Sequence, residues 1–179
     1  VEKITLPRPG HADLVGTQKF GLDDIRAVIE RSSARETTIR VAVGAVARQF
    51  LRELGIFIGG HVITLGGATY TCWDSIRSEV DPILETEHAE KISDLADASE
   101  VRCLNEGLSS KMKDQIKQIK KEGGSLGGVY EIVVSGLPAG LGSYTHWDRK
   151  LDGRLAQAIL GTQAMKGVEF GLGFEAGGR

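Results

Sequence analysis

Apolar and polar positions alternate with two different periods along this chain, and the period changes at glycines. From Asp23 to Leu54 the pattern is helical: Ile25, Val28 and Ile29 share one stripe, and from Ile39 to Ala47 the residues are apolar or small nearly all round. This predicts helix across the span, with its second part deeply buried. Ala42, Gly44, Ala45 and Ala47 carry little volume, so another element can pack close to it, and Gly55 is a natural C-terminal stop. The segment IFIGGHVITLGG then alternates, with Phe57, Val62 and Leu65 suggesting a strand of an antiparallel sheet. Residues 69–90 read as irregular with a short helix. Between Glu106 and Glu122, Leu108, Met112, Ile116 and Ile119 recur at helical spacing until Gly123-Gly124 ends the run. Val129 to Val134 reads as a strand entering a Gly/Pro turn. A last helix is expected from Asp148, as cap, through Leu155 and Leu160, after which VEFGLGF returns as a strand. Helices and strands of mixed length without a steady βα alternation predict an α+β fold.

Composition narrows this picture. The 179 residues, 41% hydrophobic and 26% charged, fit one packed domain spanning residues 1–179. A net charge of −2 gives no general attraction to nucleic acid or anionic lipid, so any anion site must be local. The lysines of the 106–122 helix, Lys111, Lys113, Lys117, Lys120 and Lys121, have no interleaved aromatics and read as a solvated face. Cys72 and Cys103 form neither a disulfide framework nor a zinc pattern, so no metal is expected. No apolar run approaches the roughly 20 residues that cross a bilayer, and the first residues lack a secretory h-region, which predicts a cytoplasmic protein.

The 24 glycines invite a phosphate-loop reading. Gly171, Gly173 and Ala176 match G-x-G-x-x-A only formally, with no helix and acidic residue beyond them, and no Walker motif occurs. A stronger constellation lies earlier. Arg8 and His11 sit in the proline-stiffened stretch PRPGHAD, followed by Arg31, Ser32, Ser33 and Arg35 in ERSSARETTIR. Ser32 or Ser33 can cap a helix with Glu36 in its first turn, and a helix N-terminus beside guanidinium forks suits carboxylates or phosphates. The competing reading has Ser33 only capping, with Arg31 and Arg35 paired to Asp23, Glu30 or Glu36. His11 is a candidate acid, because imidazole titrates near neutrality and can deliver a proton. His61 and His88 read as surface groups, and His146 as structural beside Trp147 and Leu151.

At PRPGHAD, ERSSARETTIRVAVGAVARQ (residues 30–49), GSYTHWDRKLDGRLAQA (142–158) and TQAMKGVEFGLGF (162–174) the chain resembles the chorismate synthases. The S-A-R-E-T stretch followed by R-V-A-x-G-A is the most specific of these. The resemblance implies a β-α-β sandwich with central helices between antiparallel sheets, generally assembled as a tetramer. It implies conversion of 5-enolpyruvylshikimate 3-phosphate to chorismate in the shikimate pathway, by anti-1,4-elimination of phosphate with reduced FMN required although there is no net redox change. Whether an NADPH-dependent flavin reductase activity is built in stays open.

By motif position, the resemblance makes Arg8, Ser33 and Arg35 ligands of the substrate anions and His11 one of two active-site histidines. Arg31, Ser32, Ser33, Gln163 and Ala164 match positions that contact flavin. The family's G-E-S-H-G opening, with the other histidine, and its R-H-D stretch are absent, so the chain reads as the central part of a longer enzyme. The alternative is a noncatalytic core module that keeps packing and oligomer contacts but not flavin.

Overall fold

The computed structural model describes residues 2–179, with Ala34 as backbone only. In chain order it forms α1 (Asp13–Phe20), α2 (Arg26–Ser32), α3 (Ala34–Glu53), β1 (Phe57–Leu65), β2 (Ala68–Thr69), α4 (Trp73–Thr86), α5 (Glu90–Asp97), α6 (Glu106–Glu122), β3 (Gly128–Ser135) and α7 (Leu151–Leu160). Short 3₁₀ turns cover Trp147–Arg149 and Gly173–Gly178. The α+β class read from the sequence holds. The chain divides into two compact units, Val1–Ala47 with Gly142–Phe170, and Arg48–Leu141 with Gly171–Arg179.

In the first unit, the helical span 23–54 is two helices, broken at one of the two serines offered as a cap. Ser33 adopts an extended backbone (φ −138°, ψ −166°) between them, so the chain leaves α2 and starts afresh at Ala34. Asp24 accepts from the Arg26 N–H at 2.9 Å, and this delays the start of α2 to Arg26. The N-terminal segment is tied to the same place: the Ile25 N–H donates to the Ile4 carbonyl at 3.0 Å, and Lys3 pairs with Asp23. Gly16 on α1 is a contact point for α2, since a Cβ there would lie 2.5 Å from Val28 Cγ1.

The second unit is built on an antiparallel sheet of order β2-β1-β3. In β1 and β3, Phe57 pairs with Ser135 and His61 with Glu131, with a bulge between Val62 and Thr64. Glu131, Val133 and Ser135 are half-buried while Tyr130, Ile132 and Val134 are exposed, the alternation of a sheet packed on one face. Helices cover the inner face. Ile76 and Val80 of α4 and Ile92 of α5 form one core cluster with Ile63 and Val133, and Cys103, Leu108 and Met112 form a second with Val62 and Leu65. Helix α6 spans the predicted residues, capped by the Asn105 side chain accepting from the Leu108 N–H at 2.9 Å and ended by Gly123 at φ +73°.

Several expectations change. Within 69–90, where irregular chain with a short helix was expected, α4 takes up residues 73–86, and α5 follows from Glu90. Trp147 is exposed instead of packed, and Asp148 pairs with His146 at 2.7 Å instead of capping α7. VEFGLGF ends in a 3₁₀ turn, not a strand. His61 is buried, its Nε2 2.9 Å from Glu131 Oε2, because the β1 register turns it inward. His88 stacks on Phe57 with ring centroids 3.9 Å apart. The largest difference is in α3, where residues 38–50 are all exposed and no described residue covers Ile39, Val43, Val46 or Phe50.

Gly59 lets the start of α5 approach the sheet closely, since a Cβ there would stand 1.7 Å from the carbonyl oxygen of Ala89, the residue before α5. Gly59→Ala is therefore expected to push α5 from β1, seen as lost amide protection over residues 89–97. Ile92→Ala, at a fully buried position, should cost about 2–5 kcal/mol in urea denaturation.

Candidate functional site

The first unit contains a cleft of about 670 Å³ lined by His11, Ser32, Ser33, Thr37, Thr38, Val41, Gln163 and Ala164. That volume lies within the range of about 300–1,000 Å³ usual for small-molecule sites. Three separated stretches build it. Thr37, Thr38 and Val41 fall on one face of α3 because residues three and four apart are neighbours on a helix. Ser33 enters where the chain breaks between α2 and α3, and its carbonyl accepts from the Glu36 N–H at 3.1 Å. The adjoining N-terminus of α3 presents backbone donors, and a helix of 20 residues brings a positive dipole end there. Gln163 Nε2 donates to the Arg31 carbonyl at 3.1 Å and so ties the T-Q-A turn to the end of α2. Ala164 holds φ +68°, a conformation that costs a residue with a Cβ about 1–2 kcal/mol and is kept only when its surroundings fix it.

The histidine arm is fixed by a residue the sequence reading passed over. Asp13, at the first position of α1, has a side chain with no solvent exposure. Its Oδ2 accepts from the Arg8 backbone N–H and from Arg8 Nε, both at 2.9 Å, and its Oδ1 accepts from Arg8 Nη2 at 2.9 Å. Those side-chain bonds, then the backbone one, hold the Asp13 carboxyl far below the ordinary carboxylate range. Arg8 Nη2 also lies 3.2 Å from His11 Nδ1, which is 3.4 Å from Asp13 Oδ1. The chemical signal for Asp13 was present in the sequence as the last letter of PRPGHAD.

Of the residues singled out beforehand, the cleft brings together His11, Ser32, Ser33, Gln163 and Ala164. Arg8 reaches it only through His11. Arg31 contributes its carbonyl to Gln163 while its side chain lies 3.5 Å from Glu36. Arg35 Nε pairs with Glu30 at 2.9 Å and is not among the lining residues, because successive turns of about 100° carry it round the helix from Thr37. The arginines thus form the ion pairs of the competing reading, and the serines line the cleft. Ser32 Oγ donates to the Val28 carbonyl at 2.7 Å. Thr37, Thr38 and Val41 are additions from the structure.

Hydroxyls, a histidine and a helix N-terminus thus meet at one cleft on an α+β scaffold, groups that can donate hydrogen bonds to an anion. A family model described as chorismate synthase matches residues 2–179. Chorismate synthase of Streptococcus pneumoniae (strain Hungary19A-6) is 54% identical over 177 residues, covering 99% of this chain and 43% of the relative. That of Geobacillus sp. (strain WCH70) is 50% identical over the same length and with the same coverage. A solved chain described as "Crystal Structure of Chorismate Synthase" superposes with a TM-score of 0.79 at 43% identity, covering 94% of this chain and 49% of that one. The chain belongs to the chorismate synthase family, and it spans less than half the length of the curated relatives it matches.

The Asp13 pairing gives stability a defined acid limb. A carboxyl whose folded pKa is depressed contributes fully above its unfolded pKa of about 3.9 and loses that contribution as pH falls from there toward the folded value. Asp13→Asn should therefore destabilise the chain at pH 7, and the gap to wild type should narrow below about pH 4 in denaturation series.

Proposed function

We propose that this chain is the central segment of a cytoplasmic chorismate synthase and carries part of its ligand pocket. The reaction is anti-1,4-elimination of phosphate from 5-enolpyruvylshikimate 3-phosphate, giving chorismate within the shikimate pathway. The observation that carries this reading is the convergence of His11, Ser32, Ser33, Gln163 and Ala164 on one cleft. The substrate has two carboxylates and a phosphate, so its pocket needs several concentrated donors.

Arg8, Ser33 and Arg35 are the substrate-anion ligands of this reading, and His11 exchanges the proton. The Arg35–Glu30 pair is solvent-exposed, and such pairs contribute only about 0–1 kcal/mol, so the guanidinium can leave Glu30 for a ligand oxyanion at small cost. Arg8 differs, since its fork is held by a buried carboxylate and stays in place, with Nη1 left unbonded among the described residues and so available to an anion. Ser33 joins the two ligands because it stands at the break where the α3 N-terminus opens.

Reduced FMN would be held by Ser32, Ser33, the Arg31 segment and the Gln163-Ala164 turn. The donor set fits a flavin: hydroxyls and helix N–H groups for its polar atoms, with Val41 as an apolar wall. When bound, the flavin supplies the transient electron that lets phosphate depart. The exposed apolar surface of α3 supports a larger protein in which further chain covers this helix, in keeping with the family's tetrameric sandwich.

In the full-length protein, chorismate formation should require reduced FMN. His11→Ala should lower kcat by about 10²–10⁴, the usual cost of losing a proton-transfer group, and Arg35→Ala should raise KM sharply. Unaltered turnover in both variants overturns the site assignment. A core module without flavin binding predicts no change in flavin fluorescence when this chain is titrated in, and the pocket reading predicts saturable quenching.

A further inference from the structure

Asp13 is not among the residues lining the cleft, yet both its carboxylate oxygens are hydrogen-bonded. Three donors of Arg8 converge on its two oxygens at 2.9 Å, and its side chain has no exposure, whereas those of Arg8 and His11 are 42% and 34% exposed. A buried carboxylate must keep such partners, because an unpaired charge in that position is heavily penalised. Arg8 is thus fixed with respect to both Nε and Nη2. The same Nη2 lies 3.2 Å from His11 Nδ1. Guanidinium can only donate, so a neutral His11 meets it through the Nδ1 lone pair. The proton of the neutral ring is then on Nε2, which has no partner among the described residues.

We propose that Asp13 is a positioning residue: through Arg8 it holds neutral His11 as the Nε2–H tautomer, so that the ring offers a hydrogen bond at Nε2 and keeps Nδ1 occupied within the loop. The alternative tautomer would place an N–H against a guanidinium N–H. It would have Asp13 Oδ1 as acceptor only at 3.4 Å, on an oxygen already taken by Arg8. The backbone supports the same arrangement. Gly10 at φ +69° turns the loop, and the His11 N–H reaches the Arg8 carbonyl at 3.4 Å, which brings residues three apart within side-chain reach. A hydrogen offered at Nε2 suits an anionic ligand oxygen, and its consequence for turnover rests on the chorismate synthase reading above.

The tautomer can be read without activity. In ¹⁵N-histidine-labelled chain near pH 8, above the ordinary imidazole pKa of about 6.5, long-range ¹H–¹⁵N spectra distinguish the two ring nitrogens. The His11 signals are assigned by their loss in His11→Gln. Wild type should show the Nε2–H form in at least about tenfold excess, in line with a hydrogen bond to a charged group. Asp13→Asn, of nearly the same shape, should reduce that excess several-fold. If Asp13→Asn does not fold, Arg8→Lys, which keeps the charge but not the fork, should produce the same loss.

An Nδ1–H ring in wild type, or an unchanged tautomer ratio in a folded variant, overturns the proposal. In the full-length enzyme, Asp13→Asn should lower kcat by more than it raises KM. A full-length protein that makes no chorismate at all, beside an Asp13-dependent tautomer, would reject the functional reading and leave this inference standing.

Discussion

A carboxylate removed from solvent sets the geometry of the first unit. Asp13 can be buried only if its charge is met, and the donors that meet it are the backbone and side chain of Arg8, five residues earlier. This closes the loop between the prolines and α1. It also fixes where α1 starts, and therefore where Gly16 presents its bare backbone to Val28 of α2. Helix α2 then runs to Ser32, and the extended backbone of Ser33 turns the chain into α3. The cleft lies along that route: the loop supplies His11, the break supplies Ser33 and the first turns of α3 supply the threonines. Without a bonded Asp13, the loop has no reason to keep its histidine beside the break.

The second unit contributes stiffness of a different kind. Its sheet is held by backbone proximity, most tightly at Gly59 against Ala89, and by an inward-facing His61–Glu131 pair across β1 and β3. Pairing a histidine with a carboxylate lets a polar ring occupy an inner position where a lone imidazole would be costly.

What the sequence made legible followed the strength of local signals. Helix α6 was readable because four apolar positions at helical spacing run up to a terminal Gly123-Gly124, while its Asn105 cap emerges only from the structure. Strands β1 and β3 were readable from β-branched alternation between glycines. Helix α4 was obscured by Pro82, which lies inside it and normally argues for a boundary, although Ile76, Val80, Ile83 and Leu84 form a stripe beneath it. The break at Ser33 leaves no mark on the periodicity, since the apolar stripe passes through it with little change, and only the serines as candidate caps pointed to it. VEFGLGF alternates like a strand, but no neighbouring edge among the described residues pairs with it. At the site, the long motifs found five of the eight lining residues, while Thr37, Thr38 and Val41 emerge only once α3 has a face. Asp13 was missed because its importance comes from burial, and burial is a property of the folded chain.

Helix α3 poses the remaining physical constraint. A helix in water is expected to show one apolar stripe and one polar face, and a helix apolar on most sides belongs inside a larger structure. Ile39, Val41, Val43, Val46 and Phe50 point in several directions and are each more than half exposed. Between them, Ala42, Gly44, Ala45 and Ala47 keep the backbone approachable, and nothing lies within 4 Å of where a Gly44 Cβ would be. Gly44 alone among them lowers helix propensity without a local return, since glycine in a helix interior costs about 1 kcal/mol relative to alanine. The return must come from an element packed close against it. The same helix places Thr37, Thr38 and Val41 on the cleft, so whatever covers its apolar sides also borders the cleft.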